Sequence, residues 1–143
     1  MSWRKTITTV MLVDDHPTLR GGLKYLLDGS GTIKVVAETG SGESAIELYR
    51  QHKPHIVILD INIPGAGGLD AARRLCALDN SAKILMFTMH DNEIMVQRSI
   101  EAGAKGYLSK QNDLNQVIVA IHAMTEGKIY IDPQHASKIL QSQ

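Results

Sequence analysis

Short apolar runs that each stop at a polar residue recur along the chain, and they constrain the fold more than any other feature. The central run, Ile56-Val57-Ile58-Leu59, contains three β-branched residues and stops at Asp60, ahead of a Pro-Gly break. A run of this kind is typical of a strand that is buried on both faces of a sheet. Three other runs stop in the same way, at Asp14-Asp15, Thr88 and Lys110.

Segments with helical spacing of apolar residues separate these runs. Helices are predicted over about 17–28, from Ser41 or Ser44 to about 52, and over 69–78, 91–101 and 113–125. Strands are predicted over 7–13, 33–39, 56–59, 83–88 and 105–109. This alternation predicts an α/β fold of five βα units around a parallel sheet that is covered on both faces. A flavodoxin-like strand order, 2-1-3-4-5, places the switch point between strands one and three, where the acidic residues lie.

Composition and charge exclude several classes of protein. The 143 residues suit one domain, and a formal net charge of zero predicts no strong attraction to nucleic acid or to a membrane surface. The single cysteine, Cys76, excludes an intramolecular disulfide and favours a reducing compartment. No apolar run approaches the ~18 residues of a membrane span, and the N-terminus lacks the apolar core of a signal peptide. We therefore expect a cytoplasmic protein without membrane contact.

Three carboxylates are expected to meet at the carboxyl end of the sheet. Like charges repel one another, so such a cluster favours a bound cation, and oxygen ligands favour Mg²⁺. The prediction takes Asp15 and Asp60 as direct ligands, Asp14 as a direct or water-bridged ligand, and the backbone carbonyl of Asn62 as a further oxygen. The alternative is a solvated carboxylate cluster that holds no metal.

The same rim carries groups suited to phosphoryl transfer. A carboxylate such as Asp60 can attack phosphorus and form an aspartyl phosphate. Mg²⁺, the Lys110 ammonium and the Thr88 hydroxyl would each contact one phosphoryl oxygen, which supplies the positioning and charge neutralisation that the reaction needs. Taken singly, Lys110 could be a surface lysine and Thr88 a β-branched strand end. Their joint placement at successive strand ends favours the functional interpretation.

The motifs that carry this chemistry resemble the receiver domain of two-component response regulators, in the NarL/FixJ (LuxR-type) branch. The resemblance covers about residues 7–127. It rests on Val13-Asp14-Asp15-His16, Ile58-Leu59-Asp60-Ile61-Asn62-Ile63-Pro64-Gly65, Phe87-Thr88-Met89-His90-Asp91 and Ala102-Gly103-Ala104-Lys105-Gly106-Tyr107-Leu108-Ser109-Lys110.

The resemblance implies a role for each matching position. Asp60 would be the phosphoacceptor, Asp14 and Asp15 the Mg²⁺-binding pair, Thr88 the switch hydroxyl, Tyr107 the switch aromatic and Lys110 the lysine of the family motif. A sensor histidine kinase would be the partner, and the phosphorylated form would be a homodimer. Two positions depart from the family pattern: Gln111 stands where many receivers have proline, and Gly67 where a larger polar residue is usual.

A switching hypothesis follows from these roles. Phosphorylation adds about −1.5 to −2 charges at neutral pH, and the added oxygens are expected to pull the Thr88 hydroxyl inward. Tyr107 would then rotate in from the surface and change the shape of the face formed by 91–101, 105–109 and 113–125. The alternative for Tyr107 is an ordinary amphipathic aromatic residue with a hydrated hydroxyl.

The tail suggests a continuation of the resemblance. Residues 1–127 are expected to form the receiver domain, and residues 128–143 a linker with a short helix at about 134–141. In the NarL/FixJ family a helix-turn-helix domain follows, and this chain ends before one could fit. We therefore expect DNA binding and transcriptional control only in a longer parent protein. The alternative is a stand-alone receiver that acts through protein contacts.

Competing functions are less well supported by the residues. A phosphohydrolase of the haloacid-dehalogenase type uses a second acid two positions after its nucleophile, where this chain has Asn62, so turnover catalysis is not expected. A flavin- or nucleotide-binding module lacks support because the chain has no phosphate-binding loop. His90 could face attacking water, although a solvated histidine is the simpler interpretation. The other histidines are interpreted as structural or surface residues: 16, 52, 55, 122 and 135.

Overall fold

The computed structural model describes residues 6–136, which form eleven helices and strands. Their bounds are β1 Thr8–Val13, α1 Pro17–Gly29, β2 Ile33–Thr39, α2 Gly42–His52, β3 Ile56–Leu59, α3 Gly67–Leu78, β4 Ile84–Thr88, α4 Glu93–Glu101, β5 Gly106–Ser109, α5 Asn115–Thr125 and β6 Tyr130–Ile131. The five strands and five helices predicted for residues 7–125 are all present, with ends that differ by at most two residues. Of the short helix predicted for the tail, residues 137–141 lie outside the described part of the chain.

The sheet is parallel throughout, in the order β2-β1-β3-β4-β5-β6. The flavodoxin-like order of the first five strands is confirmed, but the prediction of five strands is wrong by one. The sixth strand has only two residues, which is too short to show the alternation that marks a strand in sequence. It is held by two backbone hydrogen bonds to β5 and its flank, from Tyr130 N to Lys105 O and from Asp132 N to Tyr107 O, both 3.0 Å.

The two faces of the sheet bury separate apolar clusters. Met11 and Leu59 point to the face covered by α2, α3 and α4, whereas Leu12 and Ile58 point to the face covered by α1 and α5. Because both faces are dry, the central strands need apolar residues at every position rather than at alternate ones. This explains the continuous apolar runs, and it leaves only the strand ends for polar side chains.

Two helix caps fix where the chain turns above the sheet. The Ser41 hydroxyl accepts a hydrogen bond from Ser44 N and caps α2, and the Asn92 side chain accepts one from Met95 N and caps α4. Asn92 therefore sets the start of α4 at Glu93, two residues later than predicted, because a cap residue lies outside the helix. Within residues 6–136 no helix has both the length and the apolar character needed to cross a bilayer.

Candidate functional site

The polar residues at the strand ends converge at the carboxyl edge of the sheet. Backbone hydrogen bonds set their positions: Asp14 N donates to Thr39 O, and Asp60 N donates to Val13 O, both at 2.9 Å. On the other side of the site, Lys110 N donates to Thr88 O at 2.8 Å. The ladder of the sheet therefore continues one residue beyond each strand, and it aligns the residues that carry the chemistry.

Lys110 joins the acidic residues of β1 and β3. Its Nζ atom donates to Asp14 Oδ2 at 2.7 Å and to Asp60 Oδ2 at 2.8 Å, and only 6% of its side chain is exposed. Burial alone would lower the pKa of Lys110, but hydrogen bonds and charge attraction from both carboxylates outweigh it and raise that pKa. The ammonium is therefore charged and fixed beside the Asp60 carboxylate.

A cluster of metal-ligating groups surrounds this ion pair. Single ligand atoms of Asp14, Asp15, His16 and Asp60 all lie within 4.8 Å of one another. His16 Nδ1 lies 2.9 Å from Asp14 Oδ1 and 3.4 Å from Asp15 Oδ1. The sequence predicts His16 to be a structural or surface residue, and this proximity to the acidic pair was not predicted, although the position of His16 directly after that pair was a usable signal.

The donor set fits a hard divalent cation. Three carboxylates meet one ammonium, so the cluster keeps an excess of negative charge, and its ligand atoms are mainly oxygens. Asp60 and Asp14 are largely buried, whereas the side chains of Asp15 and His16 are 39% and 60% exposed. The open side of the cluster therefore lies at Asp15 and His16, and a hydrated ion could enter there.

Asn62 and His90 lie at the rim of the site. Asn62 N donates to Asp60 Oδ1 at 3.1 Å, and the Asn62 side-chain oxygen lies 3.0 Å from His90 Nε2. The side chain of Asn62 is thus engaged outside the acidic cluster, and a metal contact through its backbone carbonyl stays a prediction. The Asn62–His90 pair spans the loops after β3 and β4, which places His90 near the acceptor.

Thr88 and Tyr107 are both fully buried. The Thr88 hydroxyl accepts a long hydrogen bond from His90 N at 3.5 Å, and the Tyr107 hydroxyl donates to His90 O at 2.7 Å. The prediction that the Tyr107 ring lies at the surface before phosphorylation is wrong for this structure. Strand β5 is buried on both faces, and the Tyr107 ring packs inside the protein. Burial, together with the nearby Asp132, Asp91 and Asp60, raises the pKa of Tyr107.

Two further residues support the site and were missed by the sequence analysis. Arg20 Nη1 donates to the backbone oxygen of Asp14 at 2.5 Å and so fixes the end of β1. A Cβ atom on Gly68 would lie 2.2 Å from the backbone oxygen of Asp60, so only glycine fits where α3 approaches the acceptor. Neither role has a local sequence signal, because each depends on which backbone packs against the residue.

Comparison with known proteins identifies similar chains. A family model for the response regulator receiver domain matches residues 10–122. The response regulator UvrY of Escherichia coli K12 is 37% identical over 134 residues, which cover 94% of this chain and 62% of UvrY. GacA of Pseudomonas protegens is 35% identical over 131 residues, which cover 92% of this chain and 62% of GacA. The chain therefore spans about three fifths of the length of these curated relatives.

A solved structure supports the same grouping. The crystal structure of a LuxR-family two-component response regulator from Aurantimonas sp. SI85-9A1 superposes with a TM-score of 0.90 at 37% sequence identity. The match covers 96% of this chain and 98% of that one. Nearly all of the fold described above, including the site-bearing edge of the sheet, is therefore shared with that structure.

Proposed function

Because the chain belongs to the response regulator receiver domain family, we propose that Asp60 accepts a phosphoryl group and that the phosphate changes the surface around α4, β5 and α5. The observation that carries this proposal is the environment of the Asp60 carboxylate. One oxygen accepts from the Lys110 ammonium at 2.8 Å and the other from Asn62 N at 3.1 Å, beside two further carboxylates. A buried acid so arranged is a nucleophile placed within a cation-binding site.

The proposed reaction transfers one phosphoryl group from a donor to the Asp60 carboxylate. An Asp60 oxygen forms a bond to phosphorus while the bond from phosphorus to the donor breaks, and the leaving group departs with the electron pair of that bond. Asp14, Asp15 and Asp60 would hold Mg²⁺, and the bound ion supplies positive charge to the phosphoryl oxygens. Lys110 already contacts the attacking carboxylate, so its ammonium can follow the new charge onto the phosphoryl group without a large movement.

The switch would run through the loop after β4. The Thr88 hydroxyl holds His90 N only weakly, at 3.5 Å, so a phosphoryl oxygen can compete for that hydroxyl. The backbone carbonyl of His90 also accepts a hydrogen bond from the Tyr107 hydroxyl, and this bond links movement of the loop to β5. A change in population from 1:99 to 99:1 requires about 5.5 kcal/mol of differential binding, which several charge-assisted hydrogen bonds can supply.

The partners of the protein are part of the proposal. A sensor histidine kinase would donate the phosphoryl group, the phosphorylated form would dimerise, and the response would act on transcription. The family supports this reading, as do relatives that are themselves named response regulators. Asn62, two positions after the acceptor, is bonded to His90 and offers no general acid, which favours stoichiometric phosphorylation over enzymatic turnover.

Labelling with a small phosphodonor tests the proposal. Acetyl phosphate with Mg²⁺ should add one phosphoryl group to the wild type, measured by intact-protein mass spectrometry, and Asp60→Asn should remain unlabelled. Asp70→Asn is the matched control, because Asp70 is an acid on α3 that takes no part in the cluster. Equal labelling of Asp60→Asn and wild type would place the acceptor elsewhere.

A further inference from the structure

A second buried carboxylate lies outside the predicted site, on the segment that follows β6. Asp132 has no exposed surface, and it accepts hydrogen bonds from Ser109 N and from Asn112 Nδ2, both at 2.7 Å. Asn112 Nδ2 also donates to Ser109 O at 3.0 Å. Together these three residues form a closed network around the start of the loop between β5 and α5.

This loop carries Lys110, and no proline restricts its backbone. The residue after Lys110 is Gln111, so no proline ring restricts the backbone there. Two hydrogen bonds lie within the loop, from Gln111 N to Ser109 Oγ and from Asn112 N to Ser109 O, both at 3.1 Å. Bonds from outside the loop also hold the backbone N–H groups of Ser109 and Lys110. Ser109 N is bonded to Asp132, and Lys110 N is bonded to Thr88 O. The backbone from which the long Lys110 side chain extends is therefore held by two contacts, one with Asp132 and one with Thr88.

A second contact ties the same segment to the loop after β4. His135 Nε2 lies 2.8 Å from Asp91 Oδ1, and Gln134 also donates to that carboxylate oxygen. His135 is largely buried, so of the two roles predicted for it the structural one fits and the surface one does not. Residues 130–136 therefore cross the edge of the sheet and contact both of the loops that follow β4 and β5.

We propose that Asp132 is a positioning residue for Lys110: it holds residues 109–112 in the conformation from which the ammonium reaches both Asp14 and Asp60. This inference rests on the proposed function, since it assigns Asp132 an effect on phosphorylation of Asp60. Fixing the ammonium of a lysine costs conformational entropy, because rotation about several bonds of its side chain is restricted. A fixed backbone at residues 109–112 lowers the conformational entropy that is lost when Lys110 contacts the phosphoryl group.

The competing explanation is that Asp132 only attaches residues 130–136 to the sheet. His135→Ala separates the two explanations, because it removes a different anchor of this segment, the contact with Asp91, without touching residues 109–112. If attachment alone matters, His135→Ala and Asp132→Ala should slow phosphorylation equally. If Asp132 positions Lys110, only Asp132→Ala should do so.

The test measures the rate of labelling by acetyl phosphate with Mg²⁺ in a double-mutant cycle. We expect Asp132→Ala to slow labelling ~10-fold in the Lys110 background and to have no effect in the Lys110→Ala background. Asp132→Asn should be intermediate, because its single amide oxygen can still accept from Ser109 N, and it serves where the alanine variant does not fold.

Each outcome bears on one hypothesis. Equal slowing by Asp132→Ala in both backgrounds, or equal slowing by His135→Ala, would overturn the positioning role. Absence of labelling in the wild type would instead overturn the proposed function. In that case the position of Lys110 is read from structures of the wild type and Asp132→Ala, and an unchanged contact between Lys110 Nζ and Asp60 would overturn the inference independently.

Discussion

The acceptor site and the segment after β6 each bury a carboxylate, and they neutralise it in different ways. Asp60 faces the Lys110 ammonium and two other acids beside an opening to solvent at Asp15 and His16. Asp132 has no exposed surface and accepts hydrogen bonds from neutral groups, the backbone N–H of Ser109 and the side-chain amide of Asn112. An ion pair whose partners can rearrange suits a reactive site, whereas neutral hydrogen bonds that hold one geometry suit an anchor.

The pKa directions reflect this difference. At the acceptor site the carboxylates overcome burial and raise the pKa of Lys110, so opposite charges stabilise one another. At Asp132 burial has the larger effect and raises the pKa of the carboxyl group, although bonds from Ser109 and Asn112 oppose it. The neutral donors at Asp132 therefore offset only part of the cost of burying its charge.

Removal of Lys110 should have the largest effect, because it breaks the charge balance on which the comparison depends. We expect Lys110→Ala to lower the rate of labelling by acetyl phosphate about 100-fold or more, since it removes a fixed donor to the developing charge. It should also destabilise the fold by about 3–5 kcal/mol, because Asp14 and Asp60 lose their buried partner. Labelling time courses and urea unfolding measure the two effects.

The control for this prediction is Lys128→Ala, which removes a lysine whose side chain is 70% exposed. That variant should match the wild type in both measurements. A Lys110→Ala variant with wild-type labelling would show that the ion pair is structural only.

A divalent cation should stabilise the protein through the acceptor site and not through the region around Asp132. Mg²⁺ at 100 times its dissociation constant should raise the free energy of unfolding by about 2.7 kcal/mol, and chelation should reverse the gain. Asp15→Asn should weaken this stabilisation because it removes an accessible oxygen ligand, whereas Asp132→Asn should leave it intact. Thermal or urea unfolding with and without Mg²⁺ measures it, and equal loss in both variants would contradict the assignment of the cation site.

The raised pKa of Asp132 predicts a pH dependence of opposite sign to that of an ordinary salt-bridged acid. Burial makes the native state hold the Asp132 proton more tightly than the unfolded state does; Asp91 adds to this effect, and Ser109, Asn112 and His135 oppose it. The wild type should therefore lose stability relative to Asp132→Asn as pH rises from the ordinary carboxyl pKa through the raised value. Paired urea titrations over this range measure the difference, and a gain with rising pH would show that Asp132 is better solvated than the structure indicates.

The two regions also differ in how far the sequence could predict them. Asp60, Thr88 and Lys110 each end an apolar run, and parallel strands bring such ends together, so the pattern alone predicted that these residues share one edge of the sheet. Asp132 follows a strand of two residues, which shows no periodicity, and its partner Ser109 is 23 positions away. Such a contact depends on how the tail crosses the sheet, and that packing has no local signal in sequence.

Tyr107→Phe should have the smallest effect and sharpens the link between the two regions. The hydroxyl donates to His90 O at 2.7 Å inside the protein, so its removal should cost about 0.5–1.5 kcal/mol of stability. Labelling of Asp60 should continue at nearly the wild-type rate, because Tyr107 does not contact the acceptor. If Tyr107 relays the switch, phosphorylation of the variant should produce a smaller change in hydrogen exchange at residues 130–136 than it does in the wild type. An equal change would show that the Tyr107 hydroxyl is not needed for the signal to reach this segment.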